Sequence, residues 1–285
     1  MKKDEHVMCN LCQVDDARLI FEAGEFRIVQ CNRCSLFYVN PRPSSEEAKE
    51  IYSEDYWTGE SEYGFKRGYI RHLKAGERAF RRYLKHISYY KGSGRFLDIG
   101  CGVGLLLKVA SEVGYETYGL EVSEFASNFA RDNYGLNVSN GTLDEVKFPG
   151  QYFGIVTMFN VFSHLPDPLG YFLEVHRIVE ESGIFAFTTG NYSLLPDSLF
   201  KERWGQPEEH FWKLNDQSVD VLLARTGFRL IRSQKLGYII PVSPRKLSQI
   251  GIPDRVLSFL LRVPKRVLTD EVMYICRKGN EPKSS

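Results

Sequence analysis

Residues 96–104 read Phe-Leu-Asp-Ile-Gly-Cys-Gly-Val-Gly, an apolar run that ends in Asp98 and is followed by Gly100, Gly102 and Gly104. Alternate glycines at the exit of a buried strand give a turn of bare main chain on which a ligand can lie, with a helix starting near Leu105. Seventeen residues past Gly104, a second apolar run from Thr117 to Leu120 ends in Glu121. An acid at the end of a second strand is placed to accept hydrogen bonds from the two ribose hydroxyls of a nucleoside. Dinucleotide sites space their glycines as G-x-G-x-x-G and aim a helix N-terminus at a pyrophosphate. The spacing here is G-x-G-x-G, and Asp98 would repel a pyrophosphate while receiving a ligand's ammonium group.

A second cluster concerns metal. Four of the six cysteines form the pairs Cys9-Asn-Leu-Cys12 and Cys31-Asn-Arg-Cys34, eighteen residues apart. Each pair sets two sulfurs on one knuckle, and two knuckles complete a tetrahedron of thiolates, the spacing of a structural zinc ribbon. Disulfides fit a reducing compartment poorly, and a redox C-x-x-C needs only one pair. Four cysteine ligands leave no open position, so this zinc would fold a segment of about forty residues rather than bind substrate. Residues 1–42 hold six basic and six acidic residues, which argues against a ribbon that grips nucleic acid. Packing is the default for the remaining Cys101 and Cys276.

The set Asp98, Gly100, Gly102, Gly104 and Glu121 strongly resembles motif I, and the acid that follows it, of the class I S-adenosylmethionine (SAM) methyltransferases. The resemblance implies that the methionyl part of SAM lies against the turn and that Glu121 holds the ribose. The expected cofactor set also includes Cys101 inside the turn, Val122 after Glu121 and Asn160 at the end of the fourth strand. Gly141-Thr-Leu-Asp-Glu145 stands where that family contacts adenine, with Leu143 as a backbone donor and Asp144 beside it. The stretch Val161-Phe-Ser-His-Leu-Pro-Asp-Pro168 is similar to the family's segment after the fourth strand. Gly154 stands where an Asp is usual, and Ser163 where a Glu usually precedes the His. The loop from Trp204 through Glu209 and His210 to Trp212 resembles a stretch of zinc-ribbon-bearing sugar methyltransferases, in which such a His can serve as the base. His210 is therefore the preferred catalytic base and His164, at the mouth of the expected cleft, the second candidate. Loop packing between the tryptophans, for His210, and helix capping, for His164, are the structural alternatives.

These residues need a frame. Strands at 95–99, 116–121, 136–141, 152–159 and 183–189 alternate with helices at 104–113, 123–134 and 167–180, which implies right-handed crossovers and a doubly wound α/β sheet. Helix 215–226, strand 228–236, a helical insertion at 244–268 and strand 271–277 resemble the end of the seven-stranded class I sheet. A long amphipathic helix is expected over 66–90, from Tyr69, Ile70, Leu73, Phe80, Tyr83, Leu84 and Ile87. Tyr52, Tyr56, Trp57 and Tyr63 read either as packing over the core or as a lid that keeps water from the sulfonium. The expected division is a zinc ribbon at 1–43, an aromatic and helical connector at 44–92, and a methyltransferase domain at 93–285 with insertions at 191–214 and 241–268.

The balance of 43% hydrophobic and 26% charged residues is that of ordinary soluble proteins, and no apolar run is long enough to cross a membrane. The N-terminus lacks the apolar stretch of a signal peptide, so a cytoplasmic location is expected. Net charge is +1, yet residues 65–95 carry ten Lys or Arg against one acid, and residues 244–268 six against one. Both read as solvated faces or as seats for an anionic acceptor. The leading reading is SAM-dependent methyl transfer to a sugar or nucleotide-linked sugar. RNA methylation, a catalytically inactive SAM-binding protein and, weakest, an oxidoreductase are the alternatives.

Overall fold

The structure, a computed structural model, describes residues 5–63, 68–194, 204–236 and 271–279. The insertion expected at 244–268 lies outside the described residues, as does the first part of the helix expected from residue 66.

Seven strands form the main sheet: β4 (Arg95–Ile99), β5 (Glu116–Glu121), β6 (Val138–Asn140), β7 (Phe153–Phe159), β8 (Val179–Gly190), β10 (Phe228–Lys235) and β11 (Glu271–Lys278). Their order is β10-β11-β8-β7-β4-β5-β6. The pairs among β4 to β8 are parallel, and β11 runs antiparallel to both β8 and β10. The doubly wound α/β expectation holds, with the strand order reversing between β4 and β7. A crevice opens at the carboxyl ends of the strands at such a point.

Helices cover both faces because the central strands are apolar on both. In β4, Phe96 packs with Leu84 and Ile87 of α3 (Leu73–Ser88) and Leu106 of α4 (Leu105–Glu112). Its neighbour Leu97 joins the opposite layer with Phe172 of α7 (Pro168–Ile178) and Leu222 of α8 (Asp216–Thr226). Local chemistry sets the helix starts. Ser123 caps α5 (Glu124–Tyr134) by accepting from the Ala126 amide, Asp167 caps α7 ahead of Pro168, and Asn215 caps α8 in a capping box with Ser218.

Three boundaries differ from the expectations. The amphipathic helix begins at Leu73, behind a 3₁₀ turn at Ile70–His72. Gly68 has φ +69°, and a methyl there would meet the Thr58 main chain at 2.4 Å, so the chain bends at this glycine instead of continuing a helix. β8 starts at Val179, four residues early, because Val179 already pairs with Phe153. The third concerns a second, four-stranded antiparallel sheet, β1-β2-β3-β9. β1 (Ala17–Ala23), β2 (Phe26–Cys31) and β3 (Phe37–Val39) come from the cysteine module, whereas β9 (Trp212–Lys213) comes from the loop after β8. Two residues carry no periodicity, so this strand was invisible in the sequence.

β9 ties the module to the main domain. The Val39 amide donates to the Phe211 carbonyl (3.0 Å), and the Phe211 amide donates to the Ser163 carbonyl (2.7 Å). Trp212 Nε1 donates to the Leu165 carbonyl at 2.7 Å. The Arg42 guanidinium lies 5.3 Å and 5.2 Å from the ring centroids of Phe211 and Trp212 and donates to the Pro166 carbonyl. Asn10, on the first cysteine knuckle, bonds both Asp167 and the Leu169 amide at the start of α7.

Candidate cofactor and acceptor site

The glycine turn leaves β4 with Gly100, Gly102 and Gly104 all at positive φ. Gly102 is the position that a ligand would need bare. A methyl there would come within 2.9 Å of the outer edge of the Trp57 ring, which lies over the turn. The Cys101 side chain faces the other way, against Gly119 in the core, so only its main chain borders the turn.

Asp98 and Glu121 sit at the ends of β4 and β5, 4% and 5% exposed. Burial raises the Asp98 carboxyl to about 7; the Thr157 hydroxyl, donating at 2.7 Å, opposes this and the charge of Glu121 adds to it. Burial also raises Glu121, against the backbone amides of Ser123 and Gly102, each at 2.8 Å. No Lys or Arg contributes to either shift among the described residues. Two buried acids without a cation beside a bare turn suit a nucleoside that carries a cationic amino-acid arm. Asn140, missed in the sequence, donates to the Glu121 and Val122 carbonyls and fixes that strand end (2.9 Å and 3.1 Å).

The remaining cofactor candidates line the same edge. Val122 and Asp144 are exposed. Leu143 is buried at the start of α6 (Leu143–Val146), with its main chain facing the Tyr171 phenol. Asn160 is exposed, with φ +57°, and exchanges hydrogen bonds with Thr188. The two departures from the family pattern also have local settings. A side chain at Gly154 would meet Lys91, which pairs with Glu180, and the Ser163 carbonyl holds Phe211.

Tertiary packing brings His164 and His210 together, with ring centroids 4.6 Å apart. His164 Nδ1 lies 2.9 Å from the Tyr52 hydroxyl, and the ring also bonds the Glu209 main chain. His210 Nδ1 donates to the Gln206 carbonyl at 3.1 Å, since a carbonyl can only accept. That tautomer leaves Nε2 of His210 with a free lone pair. Burial pushes His164 down to about 4 and His210 well below its ordinary value, with the Lys213 charge adding to both. Both shifts favour the neutral imidazole.

Glu209 was named in the sequence only as part of a loop. It is 3% exposed, 3.7 Å from His210 Nδ1, and its Oε2 has no hydrogen-bond partner among the described residues. Burial raises it to about 7, although Lys213 pulls the other way. Its position directly before His210 was the available signal. A neutral imidazole beside a carboxyl that titrates near neutrality can take a proton from a hydroxyl held in this pocket.

The cysteine cluster forms as expected. The four sulfurs of Cys9, Cys12, Cys31 and Cys34 lie within 4.8 Å of one another, and Cys9 Sγ is 3.5 Å from Cys34 Sγ. Tetrahedral zinc thiolates stand about 3.8 Å apart. Both knuckles close on a left-handed residue directly after the second cysteine, Gln13 at φ 57° and Ser35 at φ 60°. The hydrogen bond from Cys34 draws the Cys9 thiol down to about 6, while burial drives Cys12 up to about 11. The donor set and its crowding fit a divalent thiophilic cation.

Comparison with known proteins gives the family and agrees with the fold. The sequence model of the methyltransferase-domain family matches residues 69–233, more than half of the chain, and the chain belongs to that family. Together with the fold, this defines a class I SAM-dependent methyltransferase. More particularly, the chain is 31% identical over 178 residues to the ubiquinone biosynthesis O-methyltransferase of Ruegeria pomeroyi, covering 58% of this chain and 69% of that one. The enzyme of the same name from Ruegeria sp. (strain TM1040) is 32% identical over 128 residues, 43% of this chain and 51% of its own, so the match spans about half of that relative. A SAM-dependent methyltransferase structure from Archaeoglobus fulgidus superposes with a TM-score of 0.53 at 23% identity, over 72% of this chain and 94% of that one. One from Leishmania major gives 0.55 at 15% identity, over 82% of each chain. Both structural likenesses concern the fold.

Proposed function

We propose that the protein transfers the methyl group of SAM to a hydroxyl of a small-molecule acceptor, with His210 as the proton acceptor, assisted by Glu209. The observation that carries this reading is His210, half-buried beside Glu209 and His164 at the same sheet edge as the glycine turn, with Nδ1 held by the Gln206 carbonyl so that Nε2 carries the lone pair. SAM supplies a methyl carbon that is already electrophilic, so the chain must align a nucleophile and relieve it of its proton. In this reading Asp98, Gly100, Gly102, Gly104 and Glu121 hold cofactor, and Val122, Leu143, Asp144 and Asn160 border its adenosyl half. His164, engaged by Tyr52 and the Glu209 main chain, orients the pocket. The aromatic segment around Tyr52 and Trp57 excludes water.

The acceptor is a sugar or nucleotide-linked sugar, an assignment that rests on the resemblance of the Trp204–Trp212 loop. The similarity to enzymes named ubiquinone biosynthesis O-methyltransferase supports a small molecule and transfer to oxygen. The four cysteines hold one structural zinc, and residues 1–43 form the ribbon, 44–92 the connector and 93–285 the methyltransferase domain. The protein works in the cytoplasm; no described helix is long and apolar enough to cross a membrane. A second reading, RNA methylation, has one observation in its favour: Arg71, Lys74, Arg78, Arg82 and Lys85 are all exposed along α3 and the turn before it. Incubation with labelled SAM and panels of hydroxylated sugars, quinols and RNA decides between them. Label in RNA alone would overturn the small-molecule reading.

A further inference from the structure

One buried side chain joins the cofactor seat to the acceptor pocket. Ser123 is 4% exposed and follows the ribose acid by two residues. Its amide donates to Glu121 Oε1 at 2.8 Å. Its hydroxyl accepts from Trp57 Nε1 at 2.9 Å and donates to the Tyr52 carbonyl at 2.8 Å. The Tyr52 hydroxyl is in turn 2.9 Å from His164 Nδ1, and the His164 ring stands against His210. Trp57 and Tyr52 lie five residues apart on the aromatic segment that ends in α2 (Glu54–Thr58), and the Ser123 hydroxyl is pinned between them.

We propose that Ser123 is a positioning residue that couples cofactor occupancy to the acceptor pocket: a ligand on the glycine turn displaces the Trp57 ring, and Ser123 passes that displacement to Tyr52 and His164. The approach of Trp57 to Gly102 makes the displacement necessary. The Trp57 edge lies so close to Gly102 that even a methyl group there would meet it at 2.9 Å. Glu121 accepts one amide on each oxygen, from Gly102 and from Ser123, and keeps lone pairs for ribose hydroxyls, so the seated cofactor shares this acid with Ser123. Ligand and lid therefore interact differently in the bound and free states, the condition for coupling between two sites. The consequence is order: the acceptor pocket takes its working shape after the cofactor is seated. This rests on the cofactor reading above, deepening it.

The test uses the whole protein and S-adenosylhomocysteine as the probe. Protein carrying 5-fluorotryptophan reports Trp57 by ¹⁹F resonance, assigned with Trp57→Phe. Protein carrying ¹⁵N-histidine reports the His164 ring. In the unmodified protein, the probe should move both the Trp57 and His164 signals. In Ser123→Ala the backbone amide to Glu121 remains, so the probe should bind within about threefold of its normal affinity and still move Trp57, while the His164 response is lost. Ser123→Thr, which keeps the hydroxyl, should restore it. Trp57→Phe keeps a ring over Gly102 but removes the indole donor, and it should uncouple His164 independently, which covers a Ser123→Ala chain that folds poorly. A His164 response unchanged in Ser123→Ala and Trp57→Phe overturns the proposal, as does a silent His164 in the unmodified protein with probe bound. Absence of probe binding in the unmodified protein is the separate signature of a failed cofactor reading, and takes this proposal with it.

Discussion

Asp98 offers the sharpest quantitative test. Its carboxyl is raised from 3.8 to about 7 in the folded protein, by burial above all, with the Glu121 charge adding and Thr157 opposing. A shift of about 3 units corresponds to about 4 kcal/mol of preference for the protonated form. The sign follows from linkage. A carboxyl whose folded value is raised contributes stability below pH 3.8, and that contribution is lost as pH climbs toward 7. The ligand-free protein should therefore lose thermal stability over this window, and Asp98→Asn should flatten the slope. Cofactor binding reverses the preference, because an ammonium group beside Asp98 favours the ionised carboxylate. Below about pH 7 each binding event must then release a proton, and affinity should fall about tenfold per pH unit. Between pH 8 and pH 6 the dissociation constant of S-adenosylhomocysteine should rise about tenfold, as only about a tenth of Asp98 is ionised at pH 6. Titration calorimetry in buffers of different ionisation enthalpy counts the released proton. An affinity that stays flat from pH 6 to 8, with no proton released, would refute the placement of the cationic arm at Asp98.

Other substitutions separate the pocket's parts. Gly102→Ala adds a methyl at φ +52° against Trp57 and should leave the fold intact while weakening S-adenosylhomocysteine binding at least tenfold, as measured by calorimetry. Loss of the proton acceptor in His210→Ala should lower kcat by about 10² to 10⁴ with cofactor affinity kept. Glu209→Gln should lower kcat in the same direction and remove the pH dependence near 7 that its raised carboxyl brings. Full rates across pH in both variants would refute the base assignment. Metal analysis should find one zinc per chain, and Cys31→Ser or a strong chelator should raise hydrogen exchange in β2 and in residues 204–214 together, because β3 pairs with β9, while S-adenosylhomocysteine still binds. Exchange confined to the ribbon would mean that the loop stands without it.

The elements that carry cofactor were legible because each announces itself over a few consecutive residues. β4 and β5 are short apolar runs that end in an acid, the turn between β4 and α4 is written in glycine, and the cysteine pairs carry their own spacing. α3 starts at Leu73 although Tyr69 and Ile70 fit its period, because contact with the Thr58 main chain at Gly68 decides a bend that periodicity does not show. β8 runs four residues further back than its apolar pattern because Val179, helical by position, is claimed by Phe153 across the sheet. Each histidine is visible singly, but nothing in the sequence shows that the 45 residues between them return His210 to within 4.6 Å of His164, centroid to centroid.

The sequence alone determined what could bind: a turn without side chains, two acids at successive strand ends and four thiols at knuckle spacing, all local patterns set by backbone geometry and charge. Tertiary structure decided what could react. β9 is recruited by the cysteine module's sheet, which buries Glu209 and half-buries His210 against His164, removing much of the water around both histidines. The titration of these groups comes from that desolvation and from Lys213, and desolvation is a property of the assembled pocket rather than of any segment.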